Sequence, residues 1–165
     1  MSDSSQPNVD QLLAALGGKD ARERDKVRDA LVEIGAAAVP GLITALNDNQ
    51  QQIRWEAAKT LAQIADPAAA DALIQSLGDE DMDVRWVASE AMIALNRDAV
   101  KPLLNRLTKS QVSQELYKSA HHVFRDLSKR SDLGHLLAPV LHALDQSEPE
   151  VAVPVAANSA LESLE

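Results

Sequence analysis

Cysteine is absent from this chain, and aromatic residues are scarce: two Trp, one Tyr and one Phe in 165 residues. The first absence excludes a disulfide scaffold, a thiol nucleophile and cysteine-ligated zinc or iron–sulfur. The second requires a core built mostly from Ala, Leu, Val and Ile. Six Gly and seven Pro are too few for a turn-rich β-sandwich. No apolar run approaches the ~20 residues of a membrane span. Residues 1–8 have neither the basic nor the apolar region of a signal peptide, and their polarity predicts a disordered tail. Basic residues number sixteen against twenty-five acidic ones, and the net charge of −9 argues against phosphate-backbone binding. These exclusions predict a soluble, cytoplasmic protein without a nucleic-acid or membrane partner. The length suffices to bury a core without a structural metal.

What is present is repetition. Ile53-Arg54-Trp55-Glu56-Ala57-Ala58-Lys59-Thr60-Leu61-Ala62-Gln63-Ile64 returns thirty-one residues later as Val84-Arg85-Trp86-Val87-Ala88-Ser89-Glu90-Ala91-Met92-Ile93-Ala94-Leu95. The same register gives Arg24, Val27, Leu31 and Ile34 upstream. Downstream it gives Leu116, Ala120, Phe124 and Leu127, then Val153, Ala157, Leu161 and Leu164. A second motif interleaves with it: Leu12-Leu13 with Leu16, Leu42-Ile43 with Leu46, Leu73-Ile74 with Leu77, Leu103-Leu104 with Leu107, and Val140-Leu141 with Leu144. Ile53, Ala57, Leu61 and Ile64 follow one stripe of a 3.6-residue period. Pro67 and Pro149 stand where a first helical turn tolerates them, and Gly35, Gly41 and Gly78 fall near joints. The pattern predicts an all-α superhelix over 9–165. It contains about ten helices of roughly three turns, stacked as about five antiparallel hairpins, none of which buries its apolar face alone.

A hydrophobic-Arg pair opening one helix, two small residues three positions later and a Leu-rich partner helix resemble the HEAT-like repeat superfamily. The likeness is nearest to the short repeats of phycobilisome lyases, over about 9–164. The resemblance implies a non-enzymatic interaction scaffold that holds a protein or peptide on a concave face lined by the Arg-bearing helices. It also implies an inter-repeat ladder from an Asp six residues before the Arg, met here by Asp48 with Arg54 and Asp79 with Arg85. Gly18 stands at that position before Arg24.

Trp55 lies two positions, about 200°, from Ile53 and opposes the core stripe; Trp86 is its equivalent one repeat on. The face they share carries Glu56, Lys59, Asp83 and Glu90, and the next repeat adds Glu115, Lys118, Ser119 and His122. Three readings of the indoles stand. Trp is enriched in binding hot spots, so the pair marks a docking patch with Glu56, Lys59, Asp83, Glu90, Lys118 and His122 as its rim. Alternatively, each indole lies flat across its neighbouring repeat and completes the packing. A clamp for a small aromatic ligand is a third arrangement.

Chemistry finds little support. His121 and His122 are adjacent and point about 100° apart, while His135 and His142 are two turns apart, so neither pair chelates one metal easily. No His is followed by Glu, the dipeptide that marks the iron-dependent hydroxylases of this repeat class. The acidic run 79–83 opens a helix, where negative charge complements the dipole. It lacks the spacing of a calcium loop. Lys129, Arg130 and Arg125 complement a helix C-terminus. No catalytic constellation or cofactor motif is present, so a lyase-like subunit or chaperone for a tetrapyrrole chromophore is the alternative that resemblance alone carries.

The C-terminal helix starts apolar around much of its circumference (Val151, Val153, Val155, Ala156, Ala157), contains Pro154 and stops at Glu165. It is expected to be an incomplete repeat open to self-association.

Overall fold

The computed structural model describes residues 8–130 and 132–165. Ten α-helices follow one another: α1 (Val9–Ala15), α2 (Ala21–Ile34), α3 (Val39–Ala45), α4 (Gln51–Ile64), α5 (Ala70–Ser76), α6 (Met82–Ala94), α7 (Val100–Leu107), α8 (Gln114–Leu127), α9 (Gly134–Leu144) and α10 (Pro149–Glu162). Short 3-10 turns at Gly35–Ala38, Pro67–Ala69 and Asn96–Ala99 run directly into α3, α5 and α7. The described residues contain no strand, and none of their helices is long and apolar enough to cross a membrane.

Four of these helices begin at side chains that satisfy orphan N–H groups. The Asn8 side chain accepts from the Gln11 N–H at 2.8 Å, and the Gln11 side chain accepts from the Asn8 N–H, a reciprocal cap. Asn8 thus opens α1; the rest of the expected tail lies outside the described residues. Asp20, Asp81 and Ser113 cap α2, α6 and α8. Gly35 ends α2 at a φ of 67°, where a side chain is strained. Gly41 lies inside α3 rather than at a joint. A Cβ there would run into Leu13 of α1, so the missing side chain lets α3 pack against α1.

The two helices of each pair are unequal, a departure from the three turns expected of both. The first helices, α1, α3, α5 and α7, have seven or eight residues. The second helices, α2, α4, α6 and α8, have thirteen or fourteen. The stack has two layers. Along one, α2, α4, α6 and α8 pack in sequence; on the other, α1 meets α3, and α5 meets α7. Ala57, Ala58, Ala88 and Ser89 are buried where α4 and α6 cross. Their small side chains let the backbones approach. One apolar cluster runs between the layers from Leu12 to Ala160, and its largest fully buried side chain is Phe124.

The last hairpin corrects the expected register. The Val140-Leu141…Leu144 motif should place α9 beside α7, but α9 packs on α8, and α10 packs on α7 and α9. The layers exchange there. α10 therefore has a partner helix, and its Val153, Ala157 and Ala160 are buried. Val151 and Val155 remain exposed. Pro139 and Pro154 do not break their helices; each removes one backbone donor from a continuous element.

Phe124→Ala empties the largest fully buried site and should destabilise the fold by about 3–5 kcal/mol, read as a lowered urea midpoint in far-UV circular dichroism.

Candidate functional site

The geometry of the second-layer face starts with an arginine that recurs at the start of α2, α4 and α6. Each time, Nη1 donates to the carbonyl six residues earlier: Arg24 to Gly18 at 2.7 Å, Arg54 to Asp48 at 3.0 Å, Arg85 to Asp79 at 2.7 Å. The backbone supplies this acceptor, so Gly18 serves as well as an aspartate. The Nε edge faces the following repeat. Arg24 Nε donates to Glu56 Oε1 at 2.9 Å. Arg54 Nε and Nη2 donate to the two Asp79 oxygens at 2.8 and 3.0 Å, a bidentate pair. The hydrogen bond to Asp79 lifts the Arg54 pKa above its ordinary value against the cost of burial. The expected ladder therefore has a rung at Arg54–Asp79. The Asp48 carboxylate stands outside it and instead accepts from the Gln50 N–H at 2.8 Å.

Glu56 was expected on the exposed rim and is not there. It is 2% exposed. Its carboxylate accepts from Arg24, from Arg28 Nη1 at 2.7 Å and from Gln52 Nε2 at 3.2 Å. Burial works against the Arg28 charge, but its hydrogen bonds to Asp25 and Glu56 raise the pKa nonetheless. The physical reason is the close approach of α2 to α4, which brings two guanidinium groups over one carboxylate. Ser119 is buried for a similar reason, its hydroxyl donating to the Leu77 carbonyl at 3.0 Å.

Beyond this rung the two indoles differ. Trp55 is half-buried, with the Lys59 ammonium 4.4 Å from its ring centroid, a cation–π contact within one helix. Trp86 is 57% exposed. Its ring packs at 33° against His122, with centroids 4.9 Å apart. The indoles flank a groove of about 390 Å³ between α4 and α6, which Lys59, Asp83, Val87 and Glu90 also line. Glu90 accepts from or approaches His122 Nε2 at 3.2 Å, so α6 and α8 are joined beside Trp86. Met82, 69% exposed and one turn before Trp86, extends the apolar strip. It was not anticipated, although its i, i+4 spacing to Trp86 was the signal. Lys118 is exposed on α8 in the neighbouring groove. Trp55, Trp86, Lys59, Asp83 and Glu90 thus converge, Lys118 and His122 lie one helix further on, and Glu56 lies beneath.

His121 Nε2 lies 3.0 Å from Asp145, and His142 pairs with Gln146. Among the described residues no three His, Asp or Glu come together as metal ligands. Of the acidic run, Asp79 pairs with Arg54 and Asp81 caps α6 through the Asp83 and Val84 N–H groups.

With this geometry in view, residues 9–93 and 39–121 match the family described as HEAT repeats. The chain belongs to the HEAT-repeat family. A chain from the complex of CpcE and CpcF of phycocyanin lyase from Nostoc sp. PCC7120 is similar to it, at 26% identity and a TM-score of 0.61. The likeness covers 92% of this chain and 96% of that one. Designed armadillo repeat proteins are similar at lower scores. One in complex with a (KR)4 peptide has a TM-score of 0.46 at 20% identity, covering 95% of this chain and 91% of its own. Another has 0.45 at 21%, covering 94% and 83%. No curated protein matches. The HEAT repeats thus account for the paired helices and for the face on which the tryptophans stand.

Glu56→Ala leaves two partly buried guanidinium groups without their shared carboxylate. It should cost about 3–5 kcal/mol, measured as a loss of thermal stability.

Proposed function

We propose that this HEAT-repeat protein is a non-enzymatic scaffold of the cytoplasm, which holds a protein or peptide segment on the concave face formed by α2, α4, α6 and α8. The observation that carries the reading is the exposure of Trp86 beside the half-buried Trp55 across one groove. Leaving an indole in water forfeits burial energy of about 25 cal/mol per Å². Trp is also the side chain most enriched where interfaces concentrate their energy. Asp83, Glu90 and Lys59 around the groove supply directional polar contacts at its rim, and Lys118 and His122 continue that rim onto α8.

The similarity to a chain of the phycocyanin lyase complex favours a second reading, in which the protein is a lyase-like subunit or chaperone that handles a tetrapyrrole against Trp86. Titration with a free bilin separates the two. A visible absorbance shift lost in Trp86→Ala supports pigment handling, and an unchanged spectrum removes it. Self-association is the role left to the C-terminal face, through the exposed Val151 and Val155; sedimentation at several concentrations reads it.

Trp55→Ala combined with Trp86→Ala should retain the helical spectrum while weakening peptide or protein capture by at least ~2 kcal/mol, about thirtyfold in Kd. Capture by the double variant at wild-type affinity would remove the docking patch.

A further inference from the structure

The recurring arginine leaves one position open. Arg24 meets the Glu56 carboxylate and Arg54 meets that of Asp79. Arg85, anchored through Nη1 in the same way, meets no carboxylate among the described residues. The positions that would provide one hold other residues. Ser119 stands in the register of Glu56, two repeats on, and its hydroxyl is engaged by Leu77. Gln111 stands in the register of Asp79 and carries no charge, and its backbone carbonyl accepts from Arg106 at 3.1 Å.

Arg85 lines a groove of about 270 Å³ between α6 and α8. Trp86 forms the wall that this groove shares with the Trp55 groove, and Met82 forms its apolar lip. Lys118 faces the same space and has no ion-pair partner among the described residues. His122 is turned to Glu90. The one carboxylate lining the groove, Glu115, lies within ion-pair distance of neither cation.

We propose that this groove is a carboxylate subsite, in which Arg85 and Lys118 take an Asp or Glu side chain of a bound peptide whose neighbouring apolar residue covers Met82 and Trp86. The inference rests on the docking reading above and names the chemistry of its partner. The warrant is the repeat itself. Two equivalent guanidinium groups show what the third is shaped to receive, a planar anion held in a fork. With a net charge of −9, the whole chain repels an acidic partner at long range. Recognition here is local and short-range, and salt screens the opposing field. Glu115 is the internal competitor, since a swing of its side chain toward Arg85 would fill the position from within.

The test selects random short peptides, displayed on phage, against the full chain. A selected peptide is then titrated into a Trp55→Phe background, in which Trp86 emission alone reports binding. The expected outcome is enrichment of Asp or Glu beside an aromatic or large aliphatic residue. Changing that acid to its amide, or Arg85→Gln, each weakens binding by about tenfold. The two changes together weaken it little further. Lys118→Gln, at an exposed position, weakens binding less, and Glu115→Gln tightens it. If Arg85→Gln disturbs the fold, the Lys118 and Glu115 variants with the peptide amide decide alone. Peptides that bind through Trp86 without acidic enrichment, or an acid whose removal costs as much in Arg85→Gln as in wild type, overturn the carboxylate subsite and leave the docking reading standing. Failure of the folded chain to select any peptide overturns both.

Discussion

Arginines tie the second-layer helices α2 and α4 to the repeat that follows each of them. An arginine that donates along one edge to a carbonyl of its own repeat can reach the next repeat only with its other edge, so the distance and rotation between successive helices are constrained together. Arg54, with Asp48 behind it and Asp79 ahead, states the rule. Arg24 follows it with a different anion, the buried Glu56. Such pairs add little net stability, because desolvating the charges opposes their attraction. The apolar cluster between the layers supplies the stability. The arginines add directional contacts between helices that the apolar Ala and Leu surfaces do not supply.

That geometry decides what becomes of the tryptophans. Both project from equivalent places on consecutive helices, yet Trp55 is roofed by Lys59 and Trp86 leans on His122. Lys59 comes from the helix that carries Trp55, whereas His122 comes from the repeat after Trp86. The α2–α4 contact is bridged by the Glu56 cluster, whereas α6 and α8 are joined beside Trp86 by His122 and Glu90. The result is a face with an apolar ridge at Trp86 and a groove on either side. A ridge between two grooves suits an extended segment better than a flat surface does, because alternate side chains can enter the grooves.

The fold itself does not specify the work done. Helical repeats are hosts for many activities, so the residues on the face, and not the paired helices, carry the argument about function. The irregular end of the stack also matters. By exchanging layers, α9 packs on α8 and α10 on α7 and α9, so the regular progression of the second layer runs through α2, α4, α6 and α8.

The repeat period, the helical class, the buried Ala and Leu positions and the equivalence of Trp55 with Trp86 were all legible in the sequence, because periodicity along a helix maps directly onto its faces. Glu56 was misplaced because a wheel angle reports a direction and says nothing about what neighbour stands there; two guanidinium groups from α2 turned a surface direction into an interior one. The exchange of layers at α9 was equally hidden, since its Leu motif fits either layer and only packing against α8 chose. What the sequence by itself determined is therefore whatever depends on residues close along the chain: the helices, their stripes and their caps. What only the tertiary structure decided is the environment of each outward side chain, because that depends on helices some thirty residues away in sequence, whose approach is set by the packing of the whole stack.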